Sequence, residues 1–391
     1  MADSQEAFGM SAAAIEAGGA RWTAAEILQQ PMLWREIGAA LDAGRTALQG
    51  FLAPLLNLPQ LRIVLSGAGT SSYVGQCLAP VLTRALARRV EAIATTDLVP
   101  SPGSYLAADT PTLLVSFARS GNSPESTAAV QVVQAHVQRC AHLVITCNEE
   151  GVLNLQARRL ANAHAIVLPD ATNDRSFAMT SSFSGMLLAA AHAFGVAGEA
   201  EIAALAERTE AFLPACRPLL GELVRARFQR VVYLGSGALK GFAREAALKM
   251  LELTDGRVIA TADSTLGFRH GPKTILNAHT LVVAFLCNDP HVRRYDQDLV
   301  NELNREAVAG RVITVADVPG AAQPPGSLVL PARAGGPASE LALCMAFAPF
   351  AQSLAMLQSL ALGICPDTPN AAGTVSRVVQ GVTIYPWPGT A

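Results

Sequence analysis

The sequence predicts an α/β protein in which two similar units each place helices on both sides of a parallel β-sheet. Three observations lead to this prediction. Short, strongly apolar segments alternate with longer helix-like stretches from about residue 61 onward. Glycine-rich turns follow two of these segments, at 67–69 and 235–237. The second half of the chain also repeats the first at a constant offset of 168 residues.

The repeat is visible in three separate places. The turn LSGAG at 65–69 corresponds to LGSG at 234–237, TLLVSF at 112–117 to TLVVAF at 280–285, and VIT at 144–146 to VIT at 312–314. Three matches at one offset indicate two copies of one α/β unit. We therefore predict an N-terminal helical segment at 1–50, a first domain at 51–210 and a second domain at 218–385.

The elements can be placed in order along the chain. Residues 1–21 are expected to be poorly ordered, after which a capping box at 23–26 and Pro31 mark the starts of two helices. Apolar side chains then recur at helical spacing as far as residue 55. Buried parallel strands are predicted at 61–65, 112–117, 142–147, 163–168 and 231–234.

Composition excludes several classes of protein. The net charge of −2 over 391 residues gives no electrostatic footprint for nucleic acid. Seven cysteines without CxxC spacing indicate reduced thiols, a cytoplasmic location and no metal site. The N-terminus lacks the pattern of a signal peptide. The stretches 177–198 and 341–366 are uncharged, but each contains several polar residues, which favours buried helices over membrane spans.

A group of ionisable residues follows the second glycine-rich turn. Glu245, Lys249 and Glu252 have the spacing i, i+4 and i+7, which places them on one face of a helix, and His270 follows in a loop held by Gly271 and Pro272. Such pairs commonly stabilise a solvated helix surface. Here the flanking residues are largely apolar, and the groups suit proton transfer at carbon without a metal or cofactor.

The first copy carries hydroxyl groups instead. Ser123 is suited to cap a helix that starts at Pro124, and Ser120 and Gly121 precede it. A second turn places Thr70 and Ser71 after the glycines at 67 and 69. Such turns favour a phosphate, although a serine-rich loop can also cap helices and nothing more. Because one copy holds the hydroxyls and the other the acid–base groups, we expect one composite site.

These motifs resemble those of the sugar isomerase (SIS) domain family. The motifs that carry the resemblance are SGAGTSS at 66–72, SFARSGNSPES at 116–126, FAMTSS at 177–182, EAALKMLE at 245–252 and FRHGPK at 268–273. Both halves resemble SIS domains, so the resemblance extends over about residues 40–385. The runs at 172–182 and 366–387 are similar to the group of galactosamine-6-phosphate deaminase/isomerases, which are also called tagatose-6-phosphate ketose/aldose isomerases.

The resemblance implies a role for each residue in turn. Glu252 matches the base that moves a proton between C1 and C2, Glu245 and Lys249 match its helical partners, and His270 matches a ring-opening histidine that reaches in from a neighbouring subunit. A homodimer or a dimer of dimers is then the smallest complete unit. The residues expected to bind substrate are Gly69, Thr70, Ser71, Arg119, Ser120, Gly121, Ser123 and Phe177.

The activity implied by the resemblance is a deaminating aldose–ketose isomerase acting on an amino-sugar 6-phosphate. The relevant comparison is the isomerase half of glucosamine-6-phosphate synthase, whose C-terminal lysine has no clear equivalent at 370–375. A ketose/aldose phosphate isomerase that releases no ammonia needs the same base. A sugar-phosphate sensor is the third alternative, although it would have no use for the acid–base residues.

Overall fold

The computed structural model describes residues 4–319, 324–332 and 336–387. These residues contain two five-stranded sheets in which every pair of neighbouring strands is parallel. The strand order is β2-β1-β3-β4-β5 in the first sheet and β10-β9-β8-β6-β7 in the second. Read from its opposite end, the second order is the same as the first. The predicted pair of parallel α/β units is therefore confirmed.

The elements of the first unit follow five N-terminal helices. The helices are α1 Ser4–Phe8, α2 Ala12–Ala17, α3 Arg21–Leu28, α4 Gln30–Ala43 and α5 Arg45–Leu56. The first unit comprises β1 Arg62–Ser66, α6 Thr70–Leu86, β2 Arg89–Ala92, α7 Thr95–Leu98, β3 Thr112–Ala118, α8 Pro124–His136, β4 Cys140–Thr146, α9 Val152–Ala157 and β5 Ala163–Val167. The predicted strands of this unit agree with β1, β3, β4 and β5 to within two residues at each end.

Two helices connect this unit to the second one. They are α10 Ser181–Ala193 and α11 Glu199–Arg225. The second unit comprises β6 Arg230–Leu234, α12 Ala238–Leu253, β7 Ile259–Asp263, β8 Thr280–Phe285, α13 Pro290–Glu306, β9 Arg311–Ala316, β10 Leu328–Val329 and α14 Glu340–Ala361. The division predicted at 210–218 falls inside α11, which continues through Pro214 and Pro218. The domain boundary therefore stays a prediction.

One continuous hydrophobic core joins the two sheets. It contains the inward-facing side chains of both sheets and the buried sides of α6, α10, α12 and α14. Separate clusters cover the outer faces: α8 and α9 pack on the first sheet, and α13 packs with Phe268 on the second. Residues that point to the shared core and residues in the outer clusters consequently lie on opposite sides of a sheet.

Two predictions for the N-terminal segment are wrong. Residues 4–8 and 12–17 form helices instead of poorly ordered chain, because Ala7 and Ile15 are buried in the shared core. The capping box at 23–26 does not form, since Thr23 and Glu26 both lie inside α3. The hydroxyl of Thr23 donates to Asp367, and Glu26 accepts from the backbone of the loop at 175–176. Pro31 lies in the first turn of α4, as predicted.

The two uncharged stretches form buried helices, as predicted. All residues of α10 up to His192 are buried. In the described residues, α14 is the helix long and apolar enough to cross a membrane, and 94% of its most apolar window is buried inside the protein. Its side chains pack in the core shared by the two sheets.

The equivalent helices α6 and α12 cross at a glycine. A Cβ atom at Gly241 would lie 2.7 Å from the backbone nitrogen of Cys77 and 2.7 Å from the carbonyl carbon of Gln76. Neither backbone atom can move without displacing α6. We expect Gly241→Ala to lower the free energy of unfolding by about 1–3 kcal/mol, the usual cost of overpacking, as measured by urea denaturation.

A matched control lies on α5. Nothing lies within 4 Å of a Cβ built on Gly50, which is also inside a helix. Gly50→Ala is expected to stabilise the protein by about 0.5–1 kcal/mol through helix propensity. Equal effects of the two substitutions would show that the contact at Gly241 does not limit how closely the helices approach.

Candidate active site

The hydroxyl-bearing turns meet at one point of the first sheet. In the order β2-β1-β3-β4-β5, the connections leaving β1 and β3 run in opposite directions, which opens a crevice at their carboxyl ends. Gly69 and Gly121 have φ values of +55° and +65°, a region that favours glycine. A Cβ at Gly67 would lie 2.6 Å from that of Ser71. These glycines therefore allow both turns to approach the crevice closely.

A cavity of about 110 Å³ opens at this crevice. Five of the predicted binding residues line it, namely Ser71, Arg119, Ser120, Gly121 and Ser123. Its other lining residues are Ala68, Phe117, Ala118, Ser126, Met179, Arg377, Val378 and Val379. Ser123 takes the predicted position before Pro124 at the start of α8, but its hydroxyl lies 2.6 Å from that of Ser126 instead of capping the helix.

Three predicted binding residues lie beside the cavity without lining it. Gly69 forms the turn before α6. The hydroxyl of Thr70 accepts a hydrogen bond from Lys249 at 2.9 Å. Phe177 contributes its backbone carbonyl, which accepts from Arg119 Nη1 at 3.2 Å. Direct contact of these three residues with a substrate stays a prediction.

Arg119 brings a buried positive charge to the cavity. The side chain is only 6% exposed, and its Nη2 donates to the carbonyl of Arg377 at 2.6 Å. Its Nε has no hydrogen-bond partner within the described residues, and no carboxylate there forms an ion pair with it. Burial and the neighbouring charge of Arg377 lower the pKa of Arg119, while Asp174 and Glu252 oppose that fall. A guanidinium group keeps its positive charge in a protein, so Arg119 is a buried cation without a directly bonded carboxylate among the described residues.

The acid–base residues lie on α12 as the spacing predicted. Glu245 and Lys249 are 2% and 1% exposed, so they do not belong to a solvated surface. The side chain of Glu252 is 25% exposed. Lys249 Nζ lies 2.5 Å from Glu252 Oε2 and 3.5 Å from Glu245 Oε1. One buried ammonium group therefore holds two carboxylates, of which only Glu252 is open to solvent.

Burial and charge act differently on these groups. Burial raises the pKa of Glu245 from its usual 4.5 to about 8; the charge of Lys249 lowers this pKa and that of Glu252 raises it. Burial alone would lower the pKa of Lys249, but the charges of Glu245 and Glu252 outweigh it and leave this pKa raised. Lys249 consequently remains an ammonium ion, whereas Glu245 takes up a proton readily near neutral pH.

Lys249 also joins the two halves of the site. Its bond to Thr70 reaches from α12 of the second unit to the first residue of α6. Ser71, the next residue along the chain, lines the cavity. The charge of Glu252 also influences Arg119 in that cavity. The acid–base helix and the hydroxyl-bearing turns are thus brought together, as expected of a composite site.

His270 lies elsewhere in the same chain. It follows a short 3₁₀ helix, Gly267–Arg269, whose Phe268 belongs to the outer cluster of the second sheet. Arg269 and Lys273 hold this loop to Glu302 of α13. The α12 helix packs on the opposite face of that sheet. The imidazole is exposed, and within the described residues it has no hydrogen-bond or ion-pair partner.

Comparison with known proteins identifies the family. The SIS domain model matches residues 58–196. D-galactosamine-6-phosphate deaminase AgaS of Escherichia coli is 45% identical over 373 residues, which cover 94% of this chain and 96% of that protein. A protein of the same name from Shewanella sp. (strain ANA-3) is 42% identical over 381 residues, covering 97% and 95% of the two chains. The chain belongs to the SIS family.

A solved structure extends this likeness over both units. The structure of tagatose-6-phosphate ketose/aldose isomerase from Escherichia coli is similar to this SIS protein with a TM-score of 0.87 and 43% sequence identity. The alignment covers 94% of this chain and 97% of that chain. The relatives therefore carry two names, one for a deaminase and one for an isomerase.

At the corresponding point of the second SIS-like unit, a carboxylate of the protein lies between the two turns. The carboxylate of Asp296, on α13, accepts from Ser236 Oγ at 2.5 Å, Thr265 Oγ1 at 2.9 Å and the backbone nitrogen of Cys287 at 3.2 Å. Ser236 and Cys287 follow β6 and β8, just as Ala68 and Arg119 follow β1 and β3. An internal carboxylate thus occupies the place that an anion would take, which explains why the two copies differ.

Sequence reasoning missed one wall of the cavity. Arg377, Val378 and Val379 come from the C-terminal segment, and Met179 comes from the loop before α10. The runs at 172–182 and 366–387 are those that resemble one SIS group, and the structure places them against each other. No periodicity or spacing in the sequence indicates that contact, because Arg119 and Arg377 are 258 positions apart.

The raised pKa of Glu245 predicts a pH dependence of stability. Its folded-state pKa of about 8 lies above the usual 4.5, so its contribution is complete below pH 4.5 and is lost as the pH rises through 8. We expect the free energy of unfolding of the SIS protein to fall between pH 5 and 8. Glu245→Gln should flatten this fall in urea denaturation series.

Comparing the wild type with Glu245→Gln isolates the contribution of this one carboxyl group to the pH dependence of stability. Burial and the charge of Asp174 also raise the pKa of Glu26 to about 8, and this group is the same in both proteins. Parallel curves for wild type and Glu245→Gln would mean that Glu245 is ionised throughout this range.

Proposed function

We propose that this protein converts galactosamine 6-phosphate into tagatose 6-phosphate and ammonia. The observation that supports the proposal most directly is the position of Lys249, which bonds Glu252 on one side and Thr70 on the other. This links an acid–base group to a cavity suited to a phosphate group. The names of the relatives from Escherichia coli and Shewanella support the choice of substrate.

The phosphate group is bound in the crevice of the first unit. The hydroxyls of Ser71, Ser120 and Ser123 donate hydrogen bonds to it, and its negative charge pairs with the buried guanidinium of Arg119. Phosphate binding holds C1 and C2 of the open-chain sugar against α12. This use of remote binding energy positions the reacting carbons before any proton moves.

Glu252 then performs the proton transfer. Its carboxylate removes the proton from C2 of the open-chain amino aldehyde and returns one to C1, while a proton passes from the amino nitrogen to the C1 oxygen, so that the C1 aldehyde becomes an alcohol and C2 becomes an imine. Lys249 stabilises the negative charge that develops on the C1 oxygen. Water adds to the imine carbon and ammonia leaves, which gives the ketose phosphate.

His270 assists ring opening from a second subunit. Within one chain, Phe268 of its loop packs in the outer cluster of the second sheet, whereas α12 packs in the shared core, and this separation supports a contribution from a neighbouring subunit. The proposed unit is therefore a homodimer, alone or as a dimer of dimers. Its test is complementation: a mixture of Glu252→Gln and His270→Gln subunits should regain activity in hybrid dimers, which neither variant shows alone.

A ketose/aldose phosphate isomerase without deamination is the second candidate. The name of the Escherichia coli structure favours it. Product analysis distinguishes the two functions: purified protein is incubated separately with galactosamine 6-phosphate, glucosamine 6-phosphate and tagatose 6-phosphate. Ammonia and tagatose 6-phosphate from the galacto substrate alone are expected. Interconversion of tagatose 6-phosphate with an aldose phosphate, without ammonia, would instead establish the isomerase.

The serine hydroxyls provide a test of phosphate binding. Replacing both Ser120 and Ser123 by alanine removes two hydrogen bonds to a charged group, each contributing about 1.5–3 kcal/mol. We expect substrate binding to weaken by about 3 kcal/mol or more, seen as a roughly hundredfold higher Kd in calorimetry. Ser101→Ala, at an exposed site where the hydroxyl only meets Ser104, is the control. Unchanged binding in the double variant would place the phosphate elsewhere.

A further inference from the structure

The C-terminal segment closes the phosphate cavity from outside the sheet. Asp367 holds the start of this segment in place. Its carboxylate accepts from the backbone nitrogens of Trp22 at 3.0 Å and Thr23 at 2.8 Å, and from the Thr23 hydroxyl at 2.7 Å. Ten residues later, Arg377 and the two valines after it form part of the cavity lining. The segment is therefore anchored on the N-terminal helices and ends at the cavity.

Arg377 is held by backbone carbonyls and by the side-chain oxygen of Asn173. Its Nε donates to the carbonyl of Ser176 at 3.2 Å, and its Nη2 donates to the carbonyls of Asn173, at 3.5 Å, and Asp174. The carboxylate of Asp174 does not pair with it, since that group accepts from residues 180–182 at the start of α10. The guanidinium is thus oriented by neutral acceptors.

Two guanidinium groups consequently border one small cavity without a counter-ion. Arg119 is buried, and its Nε lacks a partner in the described part of the chain. The backbone carbonyl of Arg377 accepts from Arg119 Nη2 at 2.6 Å, and the charge of Arg377 acts on Arg119. No ion pair joins either of them to a carboxylate among the described residues. Two arginine residues at a hydroxyl-lined cavity suit an anion that carries more than one negative charge.

We infer that Arg377 is a second phosphate-binding residue, and that the C-terminal segment thereby makes the site selective for a doubly charged phosphate ester. The inference rests on the proposed function for the identity of the ligand. It assigns to a residue outside both sheets a part in substrate selection. Residues 377–379, which line the cavity but belong to neither sheet, would then take part in binding the substrate.

The test compares two esters that differ in charge and cannot react. Galactitol 6-phosphate carries a charge of about −2 above pH 7, whereas galactitol 6-sulfate carries a single charge. By calorimetry at pH 7.5, the wild type should bind the phosphate ester about tenfold or more tightly. In Arg377→Gln, affinity for the phosphate ester should fall roughly 10- to 100-fold. Its preference over the sulfate ester should shrink about tenfold, since the second charge no longer has a partner.

Two further variants separate recognition from structure. Arg377→Lys keeps the charge and should keep most of the preference for phosphate. Arg175→Gln is the matched control: this exposed arginine lies on the loop whose carbonyls accept from Arg377, 4.7 Å over the ring of Trp22, and does not line the cavity. Its affinities should equal those of the wild type. The melting temperature of each unliganded variant reports any loss of folding.

The possible results distinguish this inference from the proposed function. An unchanged phosphate-to-sulfate preference in Arg377→Gln would overturn the role of Arg377, while leaving the deaminase reaction to the product assay. Equal losses for both esters would show that Arg377 only braces the loop, and would overturn charge selection. Failure of the wild type to bind either ester would overturn the phosphate cavity itself, and with it both proposals.

Discussion

Replacing Glu252 by glutamine is expected to lower kcat by about 10²–10⁴-fold, the usual contribution of a positioned general base, while substrate affinity stays within a few fold. The amide is nearly isosteric with the carboxylate and can still accept the bond from Lys249, which lies 2.5 Å from Glu252 Oε2. It cannot take up the C2 proton. Steady-state kinetics on galactosamine 6-phosphate, with calorimetric binding of a non-reacting alditol phosphate, measure the two effects separately.

Two companion variants complete this prediction. Glu252→Asp keeps a carboxylate but withdraws it by one methylene, so part of the activity should remain. Glu36→Gln makes the same exchange at an exposed position of α4 and should leave kcat unchanged. An undiminished kcat in Glu252→Gln would exclude this residue as the base. Glu245 would then be the remaining carboxylate on the same face of α12.

Much of the fold was predictable because the buried strands are local signals. The apolar runs of β1, β3, β4 and β6 are continuous, since both faces of each strand are covered. The edge strands β2 and β7 have no such continuous apolar run and were not predicted. Most residues of β7 are only partly buried, and β2 alternates charged and apolar residues. The second unit could be predicted from the first because both copies keep the same spacing between the glycine-rich turn and the following strands.

The site was predictable only where its geometry follows from one element. The spacing of Glu245, Lys249 and Glu252 places them on one face of α12 whatever the surroundings. Their burial depends on α6 packing against them, and the partner Thr70 is 179 positions away. At Thr23 the local pattern predicted a bond that does not form. Its hydroxyl donates to the distant carboxylate of Asp367 instead of capping a helix. Contacts between units decide which of several locally plausible bonds forms.

Replacing Lys249 by methionine is expected to lower the free energy of unfolding by about 3–5 kcal/mol at pH 8.5, since it leaves buried carboxylate charge unpaired. Lys249 is 1% exposed, and its Nζ lies 3.5 Å from Oε1 of the buried Glu245. At pH 6 the loss should be smaller, because Glu245 can then bind a proton and bury a neutral group. Urea denaturation at both pH values measures the difference.

The same helix supplies the control. Lys240→Met removes a lysine whose side chain is 40% exposed and lies 3.8 Å from Asp263, so the expected change is below about 1 kcal/mol at either pH. Adding Glu245→Gln to Lys249→Met should restore much of the stability at pH 8.5, since the second change removes the carboxylate that the first leaves unpaired. Lys249 would not stabilise the buried carboxylate of Glu245 if Lys249→Met lowered the free energy of unfolding no more than Lys240→Met does. The same conclusion would follow if the double variant regained no stability. The bond to Thr70 would then be its structural contribution.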